Sequence, residues 1–145
     1  MRIRMLTPCL FCLALAACAS VPSGDADRDA ALKAFRFPSG VAGIYIYRGD
    51  DRAPMNVTEI EVDGNRLGRL APGTYLYVEV PPGRHYVAGK ADNVSSVEIE
   101  ARPGKLYFVR QEAQRNLMSV ENRLRRIDII EGQHEVRRTR LAGGE

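Results

Sequence analysis

Val41-Ala42-Gly43-Ile44-Tyr45-Ile46-Tyr47 and Thr74-Tyr75-Leu76-Tyr77-Val78-Glu79-Val80 are the two stretches on which the fold turns. Successive side chains of an extended chain point to opposite faces. In the first stretch Ile44 and Ile46 therefore oppose Tyr45 and Tyr47, and in the second Leu76, Val78 and Val80 oppose Tyr75, Tyr77 and Glu79. Both are rich in β-branched and aromatic residues, which fit a pleated, half-buried surface, and both read as strands.

Outward from these, the same signature recurs. Thr58, Ile60 and Val62 alternate with Glu59 and Glu61 within a run from Asn56, and Arg66 to Leu70 follows. Asp63-Gly64-Asn65 joins the two as a hairpin turn, since these residues tolerate positive φ. Pro81-Pro82-Gly83 reverses the chain into Arg84 to Lys90, and Val97, Ile99 and Ala101 alternate with Glu98 and Glu100. Arg102-Pro103-Gly104 then leads into Lys105 to Gln111, which is apolar on both faces and so belongs centrally. Ile127 and Ile129 flanking Asp128 suggest a further strand, Glu131 to Leu141 suggests a short helix, and Ala142 to Glu145 reads as a frayed tail. Seven or eight short strands over residues 40 to 131 define an all-β chain. The expected architecture is a small antiparallel β-sandwich or a partly closed barrel.

Ahead of this domain stands MRIRMLTPCLFCLALAAC, residues 1 to 18. Its basic start and apolar stretch from Met5 to Ala17 are those of a secretory signal, too short to span a bilayer, which takes about 20 apolar residues. Leu15-Ala16-Ala17-Cys18 resembles the lipobox of bacterial lipoproteins. That likeness implies cleavage before Cys18 and acylation of its thiol, with palmitate among the chains. Two or more chains anchor stably where one is marginal. Cys9 and Cys12 leave with the leader, so Cys18 is the sole cysteine of the mature chain. Residues 1–17 are thus expected as signal peptide, 18–39 as lipidated N-terminus and polar tether, and 40–145 as sandwich with a C-terminal extension. Within the tether, Ala31, Leu32 and Phe35 have helical spacing, which predicts a short helix over about 27–36. Ala19 after the cysteine implies the outer membrane, facing the periplasm, by resemblance to lipoprotein sorting.

The formal charge is +3, including Arg2 and Arg4 of the leader, which leaves 19 basic against 18 acidic residues. So even a mixture excludes the clustered basic surface of a nucleic-acid binder. His85 and His134 are the only histidines, and neither has a second histidine or cysteine at a metal-ligand spacing, so no metal or cofactor is expected. Ser95 and Ser96 lie in no G-x-S-x-G turn. Glu59, Glu61, Glu98 and Glu100 alternate as on a wet sheet face. Tyr45, Tyr47, Tyr75 and Tyr77 offer either an aromatic binding platform beside His85 or a second buried layer. Arg123, Arg125, Arg126, Arg137, Arg138 and Arg140 make the C-terminal part basic, balanced by Asp128, Glu131 and Glu135.

From Ala42-Gly43-Ile44-Tyr45-Ile46-Tyr47-Arg48, through Val62-Asp63-Gly64, Leu67-Gly68 and Gly73-Thr74-Tyr75, to Val80-Pro81-Pro82-Gly83-Arg84-His85 and Gly104-Lys105-Leu106-Tyr107-Phe108-Val109, the chain resembles an uncharacterised bacterial lipoprotein family, a domain of unknown function. Its short hairpins also look like PEGA-type surface domains, which are small transthyretin-like sandwiches. The expectation is a non-catalytic, membrane-anchored module that binds an envelope protein or glycan. The alternative is a cell-envelope hydrolase using Glu59, Glu61 or His85.

Overall fold

The alternation in the quoted strands sorts side chains into two separate cores. A computed structural model describes residues 21–49 and 56–143. In chain order its elements are α1 (Ala26–Leu32), β1 (Ala42–Arg48), β2 (Thr58–Val62), β3 (Asn65–Leu70), β4 (Thr74–Val80), β5 (Gly83–Lys90), β6 (Val94–Ala101), β7 (Leu106–Arg115), β8 (Val120–Ile127), α2 (Ile129–Arg137) and β9 (Arg140–Leu141). One sheet has the order β8-β7-β1-β4-β9 and the other β3-β2-β5-β6. Most pairings are antiparallel, but β1 with β7 and β4 with β9 are parallel. The result is an all-β sandwich.

Every residue of β1 is buried. On one side Ile44 and Ile46, with Leu76, Val80 and Val109, face Ile60, Leu70, Val87 and Ile99 of the second sheet. On the other side Tyr45, Tyr47, Tyr75 and Phe108 pack with Phe35 and Val136, which the segments around α1 and α2 supply. The five-stranded sheet is therefore the middle of three layers. The Asp63-Gly64 turn takes φ of 52° and 77°, the left-handed pair that matches the twist of a two-residue hairpin.

Both helices are short, so their stability comes from packing more than propensity. Each starts on an aspartate. Asp25 accepts from the Arg28 backbone N–H at 2.8 Å, and Asp128 accepts from Ile130 and Glu131, each at 3.0 Å. Such caps satisfy amides that have no partner inside the helix.

Three expectations are corrected. The Ile127-Asp128-Ile129 pattern is not a strand, because Asp128 caps α2, which begins two residues before Glu131. The strand in this region is β8, and the polar residues before it extend β7 to Arg115. Residues 21–39 are not a free tether. Val21 and Phe35 are buried, and α1 lies on the tyrosine layer because that apolar face must be covered. The tail is not wholly frayed either: Ala142 is buried and bridges Ser23, and Gly143 donates to the Pro22 carbonyl at 2.7 Å. Cys18, the leader and residues 144–145 lie outside the described residues.

Helix α2 approaches the sheet at Gly132, where an added Cβ would collide with the Phe108 ring. Gly132→Ala is expected to lower stability by about 1–3 kcal/mol, the usual cost of overpacking. The check is a denaturant melt, in which an unchanged or raised midpoint would contradict this packing.

Candidate functional site

The tyrosines form the second buried layer. Tyr45, Tyr47 and Tyr75 are at most 1% exposed and Tyr77 is half-buried. Tyr45 stacks on Phe108 at 5.0 Å between centroids and lies 4.7 Å from Tyr77. Their hydroxyls are used internally. Tyr45 donates to the Leu32 carbonyl at 2.7 Å, Tyr75 to the Asp29 carboxylate at 2.7 Å, and Tyr77 to Glu79 at 3.0 Å. The Tyr47 hydroxyl is buried without a partner among the described residues. Burial pushes Tyr45 and Tyr47 up to about 12, and raises Tyr75 and Tyr77 as well. An exposed aromatic platform is thereby replaced by a core in which the Tyr45 and Tyr75 hydroxyls are tied to α1.

Asp29 is the hub of that attachment. It accepts from Tyr75, from the Leu141 backbone N–H at 3.1 Å, and from Lys33 at 2.9 Å. Burial pushes its pKa up, but Lys33 and Tyr75 outweigh this and hold the carboxyl below its ordinary value. A single carboxylate thus joins α1 to β4 and β9.

His85 points inward from β5 and is 8% exposed. Its Nδ1 lies 2.6 Å from Asp63 and its Nε2 lies 2.7 Å from the Pro81 carbonyl. Both partners are acceptors, so only an imidazolium, with two N–H donors, satisfies them together. The Asp63 hydrogen bond raises the His85 pKa, against the opposing effect of burial, and His85 lowers that of Asp63. Asp63 also accepts from the Tyr86 backbone N–H at 2.8 Å. The imidazolium therefore clamps the β2–β3 turn to the β4–β5 turn. Both ring nitrogens are occupied by structure.

Glu59 and Glu61 lie on the opposite face of this sheet from His85. Glu59 pairs with Arg66 at 3.4 Å, Glu61 with Lys90 at 2.5 Å, and Glu98 and Glu100 with Arg84 at 3.3 and 3.8 Å. The face is a solvated ladder of cross-strand pairs. Arg123 and Arg125 stand on β8 opposite Glu112 and Arg110 of β7, and Arg110 reaches Glu131 at 3.7 Å, so acids interleave the basic C-terminal part. Among the described residues no group of three His, Cys, Asp or Glu side chains is placed to hold a metal.

A polar set without a sequence signature closes the sandwich between β6 and β8. The Asn122 backbone N–H donates to Asn93 at 2.6 Å, Leu124 N–H to Ser95 at 2.9 Å, and Val120 N–H to Asp92 at 3.2 Å. Side chains thereby take the edge amides of β8 that an intruding strand would otherwise pair with. Asn122 itself is buried, donates to the Gly89 carbonyl at 2.7 Å and accepts from Gln111 at 3.0 Å. An inward asparagine breaks the apolar alternation, which is why β8 escaped a reading by periodicity.

Residues 38–122 match the model of a family described as a protein of unknown function, DUF2846. The chain belongs to that family. It is also similar to an uncharacterised protein of Haemophilus influenzae, with 27% identity over 132 residues that cover 90% of this chain and 79% of the relative.

Two outcomes test these assignments. Histidine with a raised folded-state pKa stabilises fully below its unfolded value, and that contribution is lost as pH rises through the folded value. Asp63, being lowered, contributes above the unfolded aspartate value and loses it as pH falls through the folded one. The clamp is thus strongest between about pH 4 and 6.5. Stability measured by urea unfolding should fall as pH is raised beyond this window, and the fall should shrink in His85→Gln; equal pH slopes in both proteins would sink the clamp. Asn122→Ala, which strands the Gly89 carbonyl and removes one of the two acceptors of the Gln111 amide, should cost about 1–3 kcal/mol; a midpoint within error of the parent would show that the stitch is idle.

Proposed function

We propose that the chain is a lipid-anchored, non-catalytic lipoprotein of the cell envelope, its PEGA-like sandwich held at the outer membrane, on the periplasmic side, by acylated Cys18. The observation that carries this reading is Leu15-Ala16-Ala17-Cys18 at the end of a short apolar leader with a basic start. Val21 is buried in the main core, so on this reading a folded unit stands close in sequence to the acylated residue. No helix among the described residues is long and apolar enough to cross a membrane; the attachment that this reading supplies is the acylated cysteine.

A binding or structural role fits how the side chains are used. The tyrosines fill a core and His85 is held by Asp63 and Pro81. Glu59 and Glu61 are ion-paired on the far face of the sheet. The surface left for a protein or glycan partner is made of strand faces and hairpin tips, such as Leu117 and Met118, which are fully exposed.

Growth with labelled palmitate tests the anchor. The intact chain should take up label and sediment with membranes, whereas Cys18→Ser should lose the label and leave the membrane fraction. Label and sedimentation unaffected by Cys18→Ser would contradict the reading. Crosslinking of the anchored protein should recover an envelope protein or peptidoglycan above the Cys18→Ser background.

A further inference from the structure

The turn Arg102-Pro103-Gly104-Lys105 puts two cations where β6 hands over to β7. On the strands around it, basic side chains are matched by acids: Arg84 faces Glu98 and Glu100, and Arg110 faces Glu112 and Glu131. Arg102 and Lys105 are exposed and have no such partner among the described residues. With Arg126 of β8 they line a cleft of about 330 Å³, whose other walls are Glu100, Leu106 and Tyr107. Ligand clefts begin at roughly 300 Å³, so this one admits a small ligand.

The walls are held in place by structure. Gly104 N–H donates to the Val41 carbonyl at 2.8 Å and Gly43 N–H to that of Lys105 at 2.9 Å, which fastens the turn to the start of β1. The Tyr107 hydroxyl accepts from Arg102 N–H at 3.0 Å and donates to the Glu100 carbonyl at 2.9 Å. Its ring is thus fixed between the two sides of the turn. The Arg126 guanidinium lies over that ring, its Cζ 5.7 Å from the centroid. A guanidinium stacked on a ring face keeps its in-plane N–H donors for an anion. Glu100, the acid of the lining, has its carboxylate 3.8 Å from the Arg84 guanidinium. Three cations therefore meet one acid whose charge is already shared.

We infer that this cleft binds a phosphate group, carried either by a free phosphate or by a lipid headgroup. A carboxylate offers two oxygens, which one arginine satisfies in a bidentate pair. Donors arriving from three separate positions, two arginine forks and the point charge of a lysine, match a group with several acceptor oxygens. The half-buried Tyr107 ring beside them gives the organic part of an ester a surface to lie on. The site does not depend on acylation of Cys18, which the mass of the mature chain tests separately.

The test is a titration of the nitrogen-labelled mature chain, in micelles of a neutral detergent, with inorganic phosphate at constant ionic strength. Nuclear magnetic resonance follows the side-chain Nε–H of Arg102 and Arg126 and the backbone N–H of Lys105. These signals should shift and saturate. Lys105→Gln with Arg126→Gln should weaken the binding about tenfold, since a hydrogen bond to a charged group is worth roughly that much. Arg115→Gln with Arg123→Gln removes the same charge away from the cleft and should leave the binding unchanged. All four positions are exposed, so the fold is not at stake in either variant. A second arm replaces phosphatidylcholine with phosphatidylglycerol in the micelles. Movement of the same signals there assigns a lipid headgroup, and saturation by inorganic phosphate without that movement assigns a free phosphate. Failure to saturate in both arms, or equal weakening by the two double variants, would overturn the site.

Discussion

The structure depends on one constraint: β1, with β4 and β7 beside it, is apolar on both faces, so each face must be covered. One cover is the second sheet, whose inner residues complete an aliphatic core. The other is assembled from the two ends of the described chain, with α1 arriving from before β1 and α2 from after β8. Each large side chain so buried contributes about 1.5–3 kcal/mol, far more than a two-turn helix gains from its own backbone. The helices are there because the tyrosines are.

Tyrosine also dictates how the cover attaches. A buried hydroxyl without a partner costs roughly 1–3 kcal/mol, so the tyrosine layer needs acceptors above it. Asp29 and the Leu32 carbonyl provide two, and both belong to α1. Asp29 then reaches Leu141 and Lys33, and Lys33 reaches the Thr139 carbonyl at 2.6 Å. The two ends of the chain are thereby closed over the same face, with the Ser23–Ala142 bridge beside them.

Where local chemistry decides an element, the sequence displayed it. Alternation located β1, β2, β4 and β6, a run apolar on both faces located β7, and Asp63-Gly64 located a hairpin because its backbone needs positive φ. What depends on distant residues was not legible. The tyrosines' burial requires α1, whose docking is a long-range event that its polar composition conceals. Asn122 and Arg126 interrupt the pattern of β8, and only the register against β7 explains them. His85 was visible as an isolated histidine, but its partner lies 22 residues upstream, and nothing in the spacing joins them. Asn93 and Ser95 carry no periodic signal, yet they supply two of the three side chains that close the β8 edge.

Family membership covers residues 38–122 and so takes in the sheets from β1 into β8, while α1 and α2 lie outside the matched span. Whether the central sheet needs its helical cover is therefore the most direct question. Thermal unfolding of residues 21–145 compared with residues 38–145 answers it. Removing the α1 segment uncovers the tyrosines and strands the Tyr45 and Tyr75 hydroxyls, so the shorter chain should melt more than about 10 °C lower or lose its cooperative transition, since each kcal/mol is worth roughly 4–8 °C in a domain of about 60–100 residues and roughly 2–4 °C in one of about 150–250. Equal midpoints would contradict the claim that the tyrosine layer is a core.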